Sequence, residues 1–271
     1  MLVSALAVML LYFFGQTKPP AKEPSAAAIA PAERKSVDAS LLIEQVRRQL
    51  PEGALADINN KEMAIRRTAD PEQQAALLAR LAESWQQLGH PVMAAHYYHE
   101  AYQHQKKEEW LRQAAELFFL GFSFSSDSLT RLYGAQQAAA LYSSLFEQDT
   151  TQLEFRIRQA VSLIDGMNDV MEGVMLLRQV EQQDPDNEQA NVILGRLGIV
   201  SGQFDKAIAR LEKVTRNNPR NAEAFYHLAN AYQAIGRTDD AVAAYETVRQ
   251  LIDDPEFDAH LGQVIDQIKK K

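Results

Sequence analysis

The second half of the chain repeats itself with a period of 34 residues. A fixed period of this length is typical of repeat proteins, in which each repeat packs mainly on its neighbours in the sequence. Several residue types coincide when the sequence is shifted by one period: Pro185 with Pro219, Asn187 with Asn221, Leu194 with Leu228, Gly202 with Gly236, Ala207 with Ala241, and Val180 with Val214 and Val248.

The period divides this part of the chain into similar units. Residues 188-221 and 222-255 are two copies of one unit, and 154-187 is a third, weaker copy. In each copy, apolar residues recur at helical spacing, a glycine follows, and a second helical run ends near a proline. The pattern predicts a pair of antiparallel helices in each repeat.

The repeated residues have separate structural roles. Ala207 and Ala241 are expected where the two helices of a hairpin cross, because a larger side chain would push the helix axes apart. Gly202 and Gly236 allow the chain to turn after the first helix without a Cβ penalty. Pro219 interrupts helical hydrogen bonding between repeats.

The segment FYHLANAYQAIGRTDDAVAAYETV carries this pattern most fully. It resembles the tetratricopeptide repeat family, and the matching positions are Phe225, Leu228, Ala229, Tyr232, Gly236, Ala241, Tyr245 and Val248. The resemblance implies an all-α fold, an α-solenoid of antiparallel helix hairpins. It also implies a role in binding other proteins, as in the membrane-anchored bacterial proteins of this family.

A similar pattern recurs nearer the N-terminus. A repeat over 75-108 fits Leu81, Ala82, Trp85, Gly89, Ala94, Tyr98 and Ala101. The spacing from Gly89 to Gly202 exceeds three periods by 11 residues, which predicts an insertion between them. We place it at 121-129, a serine-rich turn between helices over 110-120 and 130-146. The second repeat then spans 109-153.

Helices are expected at both ends of the repeat array, which spans 75-255. Within 38-74 the sequence predicts two helices that precede it. At the other end, Asp254 is an expected N-cap, with Pro255 at the first helical position. The helix over 256-271 is apolar on one side only, as required to close the exposed end of a solenoid. That side consists of Phe257, Leu261, Val264, Ile265 and Ile268.

Residues 1-15 form an apolar segment without charge, and 16-37 form a linker rich in alanine and proline. As a helix the segment is shorter than a bilayer core but matches the apolar core of a signal peptide. A membrane anchor is favoured over a cleaved signal. We expect attachment to the bacterial inner membrane with the repeats in the periplasm, although the sequence leaves a cytoplasmic orientation open.

Composition and motifs argue against an enzyme. The net charge of -8 disfavours nucleic-acid binding, and the absence of cysteine excludes thiolate chemistry. No common phosphate-binding or hydrolase motif occurs. The histidines at 96, 99 and 104 lie near Glu100, but we interpret them as a solvated helix face. We therefore predict no catalytic residue, no metal and no cofactor.

The family resemblance also implies which residues face a partner. In tetratricopeptide arrays, certain positions of the first helix in each repeat line a groove. On this sequence the predicted partner-binding residues are Arg158, Arg196, Tyr226, Asn230 and Gln233, with Gln189, Val192, Ile199 and Glu223 at further groove positions. The arginines would bind a partner carboxylate, and Tyr226 would offer a rigid aromatic contact.

The sequence thus predicts a membrane-tethered adaptor or scaffold that binds a partner protein or peptide, with envelope complex assembly and secretion as the roles that the resemblance implies. One alternative is a structural protein that forms homo-oligomers through an exposed apolar insertion carrying Phe122 and Phe124. A burial of these two rings within the insertion is equally compatible with the sequence. A metal-binding or hydrolytic protein is the remaining alternative.

Overall fold

The computed structural model describes residues 37-270. Its helices are α1 Ala39–Arg47, α2 Glu52–Arg67, α3 Pro71–Gln87, α4 Pro91–His104, α5 Glu108–Phe124, α6 Ser128–Gln148, α7 Leu153–Val161, α8 Val170–Gln183, α9 Glu188–Val200, α10 Phe204–Asn217, α11 Ala222–Ala234, α12 Thr238–Leu251 and α13 Pro255–Lys269. A π-helical turn, Ser162–Gly166, continues α7. No strand occurs in this part of the chain, so the predicted all-α fold is confirmed.

The described residues form two compact units. The N-terminal unit comprises residues 37-180, and the C-terminal unit comprises residues 181-270. Within each unit, consecutive helices from α2 to α7 and from α9 to α13 pack on one another. Short connections between packed neighbours make these helices antiparallel hairpins, as the repeat pattern predicts.

The core of the N-terminal unit contains large aromatic side chains from several helices. Trp85 from α3, Phe118 and Phe122 from α5, and Tyr142 from α6 are each at most 2% exposed. In the hairpin of α3 and α4, the residues assigned to packing by the repeat pattern are all buried: Leu81, Ala82, Trp85, Ala94, Tyr98 and Ala101.

In the C-terminal unit, the small residues lie at the predicted crossing points. Ala207 and Ala241 are fully buried. A Cβ built on Gly198 of α9 would come within 3.1 Å of the Ala207 Cβ on α10. The two helices therefore approach closely at this point, and an added Cβ would be in tight contact with Ala207.

The repeated asparagines are N-caps. The Asn187 side chain accepts a hydrogen bond from the Ala190 amide at the start of α9, and Asn221 does the same for Ala224 at α11. Glu188 accepts hydrogen bonds from the Asn221 side-chain amide at 2.6 Å and from that of Asn218 at 2.9 Å. The turns that begin two successive repeats are thereby joined.

The C-terminal helix also follows its sequence signals. Asp254 accepts hydrogen bonds from the backbone amides of the first turn of α13, and Pro255 is the first helical residue. The predicted apolar side of the helix packs against α11 and α12 residues, including Tyr226 and Tyr245. The predicted N-cap and apolar face are thus confirmed.

The predicted serine-rich turn at 121-129 is wrong in extent. α5 continues to Phe124 and α6 begins at Ser128, so only three residues connect them. The additional residues lengthen the two helices instead of forming a loop. Asp127 caps α6, and its carboxylate accepts hydrogen bonds from the Thr130 amide and hydroxyl, both at 2.7 Å.

The insertion buries one of its two aromatic rings. Phe122 is 1% exposed, while Phe124 is 51% exposed. The sequence left open whether these rings are exposed or buried. In the structure Phe124 is exposed and Phe122 is buried.

The connection between α7 and α8 departs from the regular repeat. After the π-turn, Asn168 takes a positive φ of 57°. The Asp169 amide then donates a hydrogen bond to the Leu163 carbonyl at 2.8 Å. A Cβ on Gly173 of α8 would lie 2.4 Å from an Ile164 side-chain atom, so glycine is required where α8 contacts the π-turn.

The predicted apolar segment 1-15, and the linker as far as residue 36, lie outside the described residues. Within residues 37-270, none of the helices has both the length and the apolar character needed to cross a bilayer.

The turn glycines provide a test of the repeat geometry. Gly236 adopts a φ of +77°, a conformation that costs a residue with a Cβ roughly 1–2 kcal/mol. We expect Gly236→Ala to lower the free energy of unfolding by about that amount in urea denaturation. Gly262→Ala is the control, because this helical glycine has no neighbouring atoms within 4 Å of an added Cβ. It should raise stability by about 0.5–1 kcal/mol, and equal effects of the two variants would contradict the assignment.

Candidate functional site

A cleft of about 340 Å³ lies in the N-terminal unit, between α5 and α7 and above α6. We call it the α5–α7 cleft. Because α5 and α7 are the first helices of successive predicted repeats, the cleft occupies a position where such an array can present side chains to a partner. It is lined by Arg112, Gln113 and Glu116 of α5, Tyr142 and Leu145 of α6, and Glu154, Phe155 and Arg158 of α7.

Arg158 links the helices around this cleft. Its Nε and Nη2 atoms donate to Glu154 Oε1 at 3.0 and 2.8 Å. Its Nη1 atom donates to Glu116 Oε2 at 2.5 Å, across from α7 to α5. The guanidinium is thus held by two carboxylates, and charge-assisted bonds of this kind are the stronger class of hydrogen bond.

Aromatic rings form the base of the network. The Arg158 guanidinium lies 5.1 Å from the centroid of Phe119 and 5.8 Å from that of Tyr142. The rings of Tyr142 and Phe155 are stacked with centroids 6.1 Å apart. Cation–π contacts in a partly desolvated site are favourable, so the arginine is fixed by packing as well as by hydrogen bonds.

The ionisation states reinforce this arrangement. Burial, followed by the charge of Glu116, raises the pKa of Tyr142, which therefore keeps its proton at neutral pH. Its hydroxyl donates that proton to Glu116 Oε2 at 2.9 Å. For Arg158, burial opposes the charged form, but the hydrogen bonds to Glu154 and Glu116 favour it and the pKa is raised.

Several groups of the cleft remain accessible. The side chains of Arg112, Glu116 and Glu154 are 46%, 57% and 60% exposed, and Gln113 and Phe155 are half-buried. The Arg112 guanidinium lies 4.9 Å from the Phe155 centroid and pairs with Glu108 one helical turn away. This mixture of charges, an amide and an aromatic ring is suited to binding a polypeptide segment.

In the structure Arg158 binds carboxylates of its own chain, whereas the sequence predicted that it binds a partner. The sequence analysis proposed that it binds a partner carboxylate, but its guanidinium is already neutralised by Glu116 and Glu154. Arg112, which is nearly twice as exposed, is better placed for such a contact.

The predicted residues of α11 meet around Tyr245. The Tyr245 hydroxyl lies 2.7 Å from Asn230 Oδ1 and 3.2 Å from Gln233 Oε1. Tyr226 is only 8% exposed and packs edge-to-face on Tyr245. Tyr226 is therefore a core residue in this structure and not a ring presented to a groove. Partner binding by Asn230 and Gln233 stays a prediction.

Two of the predicted groove positions of α9, Val192 and Arg196, are also less accessible than expected, whereas Gln189 is exposed. Arg196 is half-buried and interacts with other groups of the chain. Val192 is 3% exposed and belongs to the core with Ile208 and Leu211, so its predicted groove position is wrong.

The histidines of α4 are not uniformly solvated. The His96 side chain is 18% exposed, and its Nδ1 atom lies 2.9 Å from the Tyr133 hydroxyl. Its Nε2 atom lies 3.4 Å from Glu100 Oε1. The predicted solvated face is therefore wrong for His96. Within residues 37-270, no three histidine or acidic side chains converge as metal ligands.

Sequence reasoning found Arg158 but missed the other accessible residues of the cleft. Arg112, Gln113 and Glu116 follow Trp110 on a helix whose pattern was interpreted only for its core. The available signal was the alternation of charged residues and aromatic residues on two consecutive first helices. The insertion in the repeat 109-153 shifts its residues relative to the 34-residue period. The groove positions of this repeat could therefore not be assigned by counting.

Comparison with known proteins supports the repeat assignment. The family model described as Tetratricopeptide repeat matches residues 168-219 and 199-264. These residues therefore carry tetratricopeptide repeats. No curated protein matches the chain significantly in sequence.

Solved structures show the same kind of fold. A MamA RS-1 double mutant is 18% identical over 65% of this chain and 93% of its own, with a TM-score of 0.50. A crystal structure of MamA is 17% identical over 63% and 93%, also at 0.50. YrrB, described as a TPR protein with an unusual peptide-binding site, is 13% identical over 75% and 97%, at 0.48. For the two MamA structures, the similarity at these identities concerns the fold alone.

Removal of the central arginine tests the cleft network. Arg158→Ala deletes two ion pairs and the packing on Phe119, so we expect unfolding free energy to fall by about 1–3 kcal/mol. Arg48→Ala is the control, since Arg48 is 75% exposed and pairs only with Glu44 one turn away. Its loss should stay within about 0.5 kcal/mol. Equal losses in chemical denaturation would show that the network does not order the cleft.

Proposed function

We propose that this tetratricopeptide-repeat protein is a non-catalytic scaffold that binds a peptide or an exposed segment of a partner protein in the α5–α7 cleft. The observation that carries the proposal is the Arg158 network, which joins α5, α6 and α7 around the cleft. A receptor surface that is ordered before binding loses less conformational entropy when its partner arrives.

The accessible groups indicate how a polypeptide would be held. The Gln113 amide can donate to and accept from a peptide backbone, and the Phe155 ring offers an apolar surface beside it. Arg112 is available to an acidic side chain, because its present partner Glu108 is an exposed residue on the same helix. The exposed oxygens of Glu116 and Glu154 are available to a basic one. We therefore expect a partner segment of mixed charge.

Capture of the partner from cells tests the cleft directly. The variant Arg112→Ala/Gln113→Ala removes accessible groups and leaves the Arg158 network in place. We expect the recovery of a bound partner to fall by about tenfold or more, equivalent to one or two lost polar contacts. The matched control is Arg66→Ala/Gln103→Ala, two exposed residues of the same unit outside the cleft.

Each result of this capture has a defined meaning. Loss of one protein in the cleft variant but not in the control supports the scaffold. Equal recovery from both variants would contradict binding in the cleft. Recovery of only a second copy of this chain would favour the alternative, self-association. The exposed residues Met171 and Met175 of α8, at 75% and 57%, are the specific observation for that alternative.

We also propose that the scaffold is tethered to the bacterial inner membrane through residues 1-15, with its repeats in the periplasm. The support is the uncharged apolar composition of that segment and the linker that follows it.

Deletion of residues 1-15 should move the protein from the membrane fraction to the soluble fraction of lysed cells. Protease added to spheroplasts should degrade the repeats of the intact chain. Membrane recovery independent of residues 1-15 would contradict the tether, and protected repeats would contradict the orientation.

A further inference from the structure

A second cleft, of about 440 Å³, lies elsewhere in the N-terminal unit. It is bordered by the end of α1, the turn between α3 and α4, and the turn between α5 and α6, and we call it the turn cleft. It shares no lining residue with the α5–α7 cleft. Its apolar lining residues are Val46, Pro91, Val92, Met93, Leu120, Gly121 and Phe124.

The floor of the turn cleft is tightly packed, whereas its wall is exposed. Val92 and Met93 are at most 3% exposed. A Cβ on Gly121 would lie 2.2 Å from Val92 Cγ2, so α5 reaches α4 only because this residue is glycine. Leu120 and Phe124 on the wall are 43% and 51% exposed. The cleft is therefore a fixed depression with two large apolar side chains at its edge.

The lining carries little charge. Asp127 is the one aspartate, glutamate, lysine or arginine among the described residues of the lining, which also includes His90. Its carboxylate is engaged at the N-cap of α6, and the hydrogen bonds from Thr130 lower its pKa. His90 is half-buried, and this burial lowers its pKa, so the ring is neutral at pH 7. A charged ligand group would lose its hydration here, and the one carboxylate that could pair with a cation is already engaged by Thr130.

Neutral hydrogen-bonding groups surround the mouth of the cleft. The exposed Gln49 side chain lies two residues after the end of α1, and His90 lies in the turn between α3 and α4. A side-chain amide and a neutral imidazole can each donate and accept one hydrogen bond with a peptide group. The rim thus matches a polypeptide backbone, whereas the interior matches an apolar side chain.

We propose that the turn cleft receives a single uncharged apolar side chain, of leucine to phenylalanine size, from a partner polypeptide. The exposed ring of Phe124 and the side chain of Leu120 would cover the inserted side chain against the floor of Val92 and Met93. Binding at this cleft is separate from binding in the α5–α7 cleft, so that the scaffold would hold its partner at two places in one unit.

Methyl-detected NMR of the full chain tests this site with small probes. The apolar probes are N-acetyl-L-leucine methylamide and N-acetyl-L-phenylalanine methylamide, and the charged probes are the matching lysine and glutamate compounds. We expect saturable shifts of the Val46, Val92 and Met93 methyl signals, with a dissociation constant on the order of 1 mM for ligands of this size. The charged probes should bind about tenfold more weakly or not at all.

Matched variants locate the interaction. Leu120→Glu places a charge on the wall of the cleft and should weaken the apolar probes by about tenfold or more. Leu41→Glu makes the same change at an α1 residue that is 62% exposed and outside the cleft, and it should leave binding unchanged. Phe124→Ala is a second test should Leu120→Glu fail to fold, with an expected weakening of about fivefold.

The proposal is overturned by any of three results: no saturable shift of these methyl signals, equal binding of charged and apolar probes, or equal weakening by the Leu41 and Leu120 variants. Shifts of equal size over methyl groups of both units would indicate nonspecific binding and would likewise overturn it.

Discussion

Close approach between neighbouring helices is the constraint on which the rest of this structure depends. At the crossing of α9 and α10, Gly195 and Gly198 face Leu211 and Ala207, and an added Cβ would come within 2.8 and 3.1 Å of them. Interiors packed this densely do not absorb additional atoms without displacing a helix. The small residues Gly195, Gly198 and Ala207 therefore allow the close spacing of this hairpin. Of the three, Gly195 and Ala207 have small counterparts one period later, Ala229 and Ala241.

Both clefts lie in the part of the chain where the repeat is irregular. The lengthened α5 and α6 contribute to each cleft, and the π-turn at Ser162–Gly166 ends the helix that carries Arg158. Two carbonyl groups of that turn accept hydrogen bonds from outside it: Asp165 from Arg131 Nη2 at 2.9 Å and Leu163 from the Asp169 amide at 2.8 Å. Departures from a regular helix of this kind are frequent at functional sites.

The sequence predicted what depends on local rules and missed what depends on three-dimensional neighbours. Helix pairs, turn glycines and the Asp254 cap follow from periodicity and backbone geometry, and the structure has them at the expected positions. The orientation of Tyr226 depends instead on its packing against Tyr245 of α12 and Phe257 of α13. The pairing of Arg158 with Glu116 joins residues 42 apart in sequence, which no local pattern encodes. The insertion was predicted as a turn at 121-129, and the lengthening of α5 and α6 that the structure has there could not be derived from composition.

The central claim is that a partner polypeptide binds in the α5–α7 cleft, and site-specific photo-crosslinking tests it most directly. A benzophenone amino acid would replace Gln113 in the cleft or, as a control, Gln103 on the exposed side of α4, with irradiation in living cells. The account predicts a discrete crosslinked partner from position 113 and none from position 103. No crosslink from position 113, or the same crosslinked proteins from both positions, would contradict it.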